Sequence, residues 1–127
     1  MMRGRGLLSA FMREAGEYSR AFYEVVLPPM DIYELGGQLV VEMDLAGFAK
    51  DNISIKATAH TLSVTAKREE QTDEVDGVYL RQRPSRIHRV IRLPVDVDET
   101  VEPTAKYENG VLTVKLTMKG AKRVKIE

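Results

Sequence analysis

From Pro28 onward the apolar residues of this 127-residue chain recur at every second position, the spacing of a strand whose alternate side chains face opposite sides of a sheet. Leu39, Val41, Met43 and Leu45 form one such set, and the turn-forming pair Gly36-Gly37 joins it to Asp31-Ile32-Tyr33-Glu34. Ile53, Ile55 and Ala57 share a face, as do Leu62, Val64 and Ala66, with Ala59-His60 as the hairpin connection. A further strand is expected over Ile87 to Leu93. Near the end, Lys106-Tyr107-Glu108 and the run from Val111 to Leu116 flank Asn109-Gly110, whose tolerance of positive φ makes it a strong hairpin signal. Together these runs predict an all-β, immunoglobulin-like sandwich.

Ahead of the sandwich the period is 3.6 rather than 2. Over residues 1–24, Leu8, Phe11, Met12, Ala15, Tyr18 and Phe22 fall on one helical face, and Arg13, Glu14, Glu17, Arg20 and Glu24 on the other. Pro28 and Pro29 end that pattern, because proline has no N–H to donate and pushes the residue before it toward extended geometry. The expected organisation is a helical arm over 1–27, one domain over 28–118 and a tail over 119–127.

Composition narrows the function. The chain has no cysteine, which removes disulfides, thiol nucleophiles and Cys-based metal sites and fits a reducing or a hot compartment. Its 19 basic and 19 acidic residues cancel, which argues against affinity built on phosphate neutralisation and favours self-association. No apolar run approaches the roughly 18 residues of a membrane span, and the patch from Leu7 to Met12 is broken by Arg13 and Glu14. A cytoplasmic protein without membrane insertion is expected.

Two segments do not belong to a closed sandwich. Seventeen residues separate Arg68 from Arg86, more than a small domain commonly spends on a structureless loop. Its first part, Glu69 to Gly77, is acidic, and Val78-Tyr79-Leu80-Arg81 reads as a short strand. Such a strand either completes the sheet of a neighbouring chain or folds back as a local hairpin. In the tail, Val124 and Ile126 point the same way if extended. They either plug a groove, a burial of about 3 to 6 kcal/mol before ordering costs, or belong to a frayed end.

Catalytic constellations are not expected. His60 falls in a turn and His88 on the polar face of a strand, so a two-histidine metal site would need their convergence. Met118-Lys119-Gly120-Ala121-Lys122 lacks the glycine spacing and hydroxyl of a phosphate loop, and no G-x-S-x-G elbow occurs. The chain is therefore expected to be no enzyme and to carry no cofactor or metal. A rival reading, nucleic-acid binding, rests on Arg81, Arg83, Arg86, Arg89 and Arg92, but Tyr79 alone offers a stacking surface there. By parity Arg89 shares a face with Ile87, Ile91 and Leu93. It therefore needs a carboxylate partner, for instance across a dimer, unless a bulge rotates it into solvent.

The stretch DIYELGGQLVVEMDLAGFAKDNISI, followed by YLRQR, IRLPVDVD and AKYENGVLTVKL, resembles the small heat-shock protein family with its α-crystallin domain, over about residues 28 to 118. The most specific element is Ala105, Asn109, Gly110, Val111 and Leu112, matching A-x-x-x-N-G-V-L, while Val124-Lys125-Ile126 resembles the family's I-x-I/V anchor. The resemblance, nearest to archaeal and bacterial members, implies an ATP-independent holdase that keeps partly unfolded client proteins from aggregating. Clients would be captured on the face of Leu8, Phe11, Met12, Tyr18 and Phe22. It implies a dimer in which Val78 to Arg81 swaps onto the partner near Met30 to Tyr33, with Ile32, Tyr33, Tyr79, Leu80, Arg81 and Arg89 at the interface. Dimers would then assemble into shells of about two dozen subunits. The anchor Val124 and Ile126 would dock in a groove of another subunit that includes Ile53, Ile55 and Ala57. Three departures stand out: Ala46 replaces the proline of D-L-P-G-F, which is expected to loosen that turn; Leu116-Thr117-Met118 stands for L-P-K; and Val124 replaces the commoner isoleucine.

Overall fold

Seven strands form where the alternating runs lie, and glycines sit where the chain must reverse. A computed structural model describes residues 28–69, 75–120 and 126. The expected helix over 1–24 lies outside the described residues. The strands are β1 (Met30–Leu35), β2 (Gln38–Asp44), β3 (Ile53–Ala57), β4 (Thr61–Lys67), β5 (Arg86–Arg92), β6 (Thr104–Glu108) and β7 (Val111–Thr117). All pairings are antiparallel, with one sheet in the order β1-β2-β7-β6 and the other in the order β3-β4-β5. The all-β sandwich is thus observed.

Both two-residue hairpins require left-handed backbone. Gly36 and Gly37 have φ of 59° and 80°, and Asn109 and Gly110 have 53° and 76°, so each turn carries two successive positive φ values. That geometry matches the twist of the strands it joins.

The inner faces meet as the parity of the sequence dictates. β2 supplies Leu39, Val41 and Met43; β4 supplies Leu62, Val64 and Ala66; β5 supplies Ile87 and Ile91; and β7 supplies Leu112, Val114 and Leu116. Leu45 and Phe48, in the turn after β2, close one end. The central strands β2, β4 and β7 are therefore the anchors of the core. The edge strands β1, β3 and β6 contain no buried residue.

Ala46 does not leave its turn loose. The Tyr107 hydroxyl donates toward two carbonyls of that turn, Leu45 O at 2.6 Å and Phe48 O at 2.8 Å. Leu45 N donates to Gly110 O at 2.7 Å, and a Cβ on Gly110 would lie 3.0 Å from both Cα and Cβ of Ala46. The rigidity a proline would provide comes instead from the β6–β7 hairpin, packed against the turn. Tyr107→Phe removes the donor and strands part-buried acceptors, so a loss of about 1 to 2 kcal/mol is expected. Urea unfolding checks this, as a lower midpoint at unchanged slope.

Candidate assembly and client-capture surfaces

Edge strands carry unsatisfied backbone, and here they also carry apolar side chains. On β1, Ile32 and Tyr33 are half-exposed and Leu35 is 63% exposed. Only one edge of β1 is paired among the described residues, to β2. Tyr33 is held flat by donating its hydroxyl to Glu42 on the neighbouring strand, and this hydrogen bond keeps its phenol above the ordinary value, hence protonated. The edge is thus an ordered apolar border.

The segment over Val78 to Arg81 is not a strand in the single chain. Tyr79 is 96% exposed, and Val75, Val78 and Leu80 are exposed as well. A strand exists only with a ladder partner, and the described residues offer this segment none, which accounts for its irregular backbone. The local hairpin onto its own sheet is therefore not formed. Arg81 is half-buried at the same loop.

The residues expected to line a groove share one face of β3. Ile53 and Ile55 are half-buried and pack against the core from edge strand β3, whereas Ala57 is exposed at its far end. Ile126 is 93% exposed, an apolar side chain with no contact to bury it. Val124 lies outside the described residues, as do Leu8, Phe11, Met12, Tyr18 and Phe22.

Arg89 does face inward. It sits opposite the fully buried Val64 on β4, is itself half-buried, and its Nε is shut off from solvent with no hydrogen-bond partner among the described residues. No bulge rotates it outward. An orphaned donor of this kind costs free energy until an acceptor arrives.

The arginine crowd of the rival reading is divided by the pleat. Arg86 and Arg92 point outward from β5, Arg89 points inward, and Arg83 lies against the turn at Gly47. They do not share one face. Each histidine has its own partner: His60 Nδ1 lies 3.0 Å from Asp96, and His88 Nδ1 lies 2.9 Å from the Thr65 hydroxyl. Among the described residues no group of three or more metal-ligating side chains occurs, and no helix is long and apolar enough to cross a membrane.

Two residues went unnoticed in the sequence. Tyr107 could have been suspected from an aromatic two positions before Asn109-Gly110. Arg68 could have been suspected from a cation at the exact start of a long excursion that returns through Pro84.

The Hsp20/alpha crystallin family model matches residues 31–127, which includes every strand but the first residue of β1. The chain belongs to this family. Small heat shock proteins of the family are chaperones of the stress response, and a chaperone role follows for this chain. A mutant of hsp14.1 from Sulfolobus solfatataricus P2 is similar to it in structure, with a TM-score of 0.76 and 47% identity, covering 94% of this chain and 97% of that one. A small heat-shock protein from Xylella fastidiosa, described as having a distinct high order structure, is 26% identical with a TM-score of 0.60, over 80% of this chain and 96% of that one. Small heat shock protein C4 of Rickettsia felis is 32% identical over 108 residues, 81% of this chain, which spans 66% of that protein's length. The archaeal and bacterial character of the chain agrees with these relatives.

Proposed function

We propose that the protein is an ATP-independent holdase that binds partly unfolded proteins and keeps them from aggregating under heat stress. The observation that carries this reading is a sandwich with a closed apolar core and exposed apolar pieces outside it. Ile32, Tyr33 and Leu35 border one sheet, Val78, Tyr79 and Leu80 project on a loop, and Ile126 stands alone. A monomer gains nothing from exposing these; a second chain can bury them. The building block is a dimer in which Val78 to Arg81 pairs with the partner's β1. The dimers assemble into a large homo-oligomer, of the order of a 24-mer, through docking of Val124 and Ile126 beside Ile53, Ile55 and Ala57.

Heating shifts subunits toward dissociated states, which bare the vacated edges and the apolar face of Leu8, Phe11, Met12, Tyr18 and Phe22 for clients. No nucleotide, metal or other cofactor enters this scheme, and neither nucleic acid nor stable membrane insertion is part of it. A chain without cysteine suits the reducing cytoplasm, the proposed place of action. Light scattering of a heat-aggregating client tests the scheme. Suppression at equimolar protein without ATP is expected, and unimpeded aggregation refutes the holdase.

A further inference from the structure

The chain leaves β4 at Lys67 and returns into β5 at Arg86, and these two residues are the last cross-strand pair of the sheet. Arg68 N still donates to Ser85 O at 2.9 Å. Beyond that the ladder cannot continue in the ordinary way, because the next residue on the returning leg, Pro84, has no N–H to give. The Arg68 side chain takes over at that point. Its Nε donates to Pro84 O at 2.7 Å and its Nη2 to Arg83 O at 2.8 Å. One residue thereby satisfies three consecutive carbonyls, those of residues 83, 84 and 85.

The returning leg is fastened on its other side as well. The Arg83 guanidinium lies over Gly47, where a Cβ would approach Nη2 to 2.9 Å, and Gly47 has the left-handed φ of 93°. Arg68, Arg83 and Pro84 together line a shallow cleft with Pro28, Phe48 and Ile87, so the root of the loop rests on the end of the core. The residues that follow outward, Leu80 and Tyr79, are the exposed apolar ones.

We infer that Arg68 is the positioning residue of the projecting loop: its guanidinium bolts the two legs together and sets the direction in which Val78, Tyr79 and Leu80 are presented to a second copy of this chain. The inference rests on the dimer proposed above and names what prepares it. Two parallel N–H donors in one plane are what two successive carbonyls require, and lysine's point charge cannot supply them. A loop fixed in its binding direction gives up less freedom when it docks, so its contact is tighter and slower to break.

The test uses the full chain, whose lack of cysteine allows two labels at chosen positions. Gly77→Cys has open space around its Cβ, and Ser54→Cys lies exposed on β3. Spin labels at the two sites, in subunits diluted with unlabelled protein, report the spread of loop-to-sandwich distances. Arg68→Ala and Arg68→Lys are each expected to broaden that distribution and to speed subunit exchange by about ten-fold or more, with the thermal midpoint of the sandwich held within about 3 °C. A distribution as narrow as that of the parent overturns the inference, as does full rescue by Arg68→Lys. A broadened distribution with unchanged exchange leaves the bolt standing and overturns the loop-mediated dimer instead.

Discussion

Replacing Ile126 with serine is expected to reduce the assembly to dimers, seen in gel filtration as a many-fold loss of mass. The side chain is 93% exposed in the single chain, so the described sandwich does not rest on it and the fold is expected to stay intact. Fully burying an isoleucine stabilises by about 2 kcal/mol, and losing that contact weakens each docking event by roughly 30-fold. In the proposed assembly such contacts repeat around a closed shell and reinforce one another through effective concentration, so the assembly is expected to respond more steeply than one contact does. The opposite change, Val124→Ile, restores one methylene, about 0.8 kcal/mol or roughly four-fold per contact, and is expected to raise the temperature at which the shell dissociates. An unchanged elution volume for Ile126→Ser refutes the docking.

Arg89→Met is expected to act in opposite directions on the subunit and on the dimer. Among the described residues the Arg89 Nε is buried and has no hydrogen-bond partner, a cost of about 1 to 3 kcal/mol that an apolar side chain of similar length removes. Dilute subunits are therefore expected to unfold at the same or a slightly higher urea midpoint. In the proposed dimer, where the acceptor for Arg89 comes from the second chain, the same change would leave that acceptor buried and alone, and breaking a buried charge pair costs about 3 to 5 kcal/mol. The dimer dissociation constant, measured by sedimentation over a concentration series, is expected to rise by at least about 100-fold. If dilute subunits instead lose 2 kcal/mol or more, as judged against the cost of such a break, the acceptor lies within the same chain.

Much of the sandwich was legible because a period of two leaves little freedom. Once Leu62, Val64 and Ala66 share a face with a core beneath it, a register slip of one residue would turn all three to solvent. The same parity places Arg89 inward beside Ile87 and Ile91. Strand ends were less legible, since β6 begins at Thr104 rather than Lys106, and β5 runs from Arg86 to Arg92 rather than from Ile87 to Leu93. At an edge, pairing and not side-chain pattern decides where a strand stops. For that reason Val78 to Arg81 reads as a strand in sequence yet is irregular in one chain.

The fastening of the Asp44–Phe48 turn was legible only as an aromatic two positions before Asn109-Gly110. The missing proline at Ala46 suggested looseness, but the hydroxyl of Tyr107 arrives from 62 residues away to hold Leu45 O. Arg68 is similar: only its place at the start of the long excursion marks it, since its carbonyl partners are separated from it by the whole loop.

The order of amino acids alone determined which residues face inward, where the chain reverses and that apolar pieces remain outside, because these follow from side-chain parity and from the φ values that glycine and asparagine tolerate. Tertiary structure alone decided how the turn is held, which way the projecting loop leaves and that the Arg89 Nε has no hydrogen-bond partner among the described residues. Those depend on donors and acceptors far apart in sequence, and only the packing of the two sheets brings them within hydrogen-bonding distance.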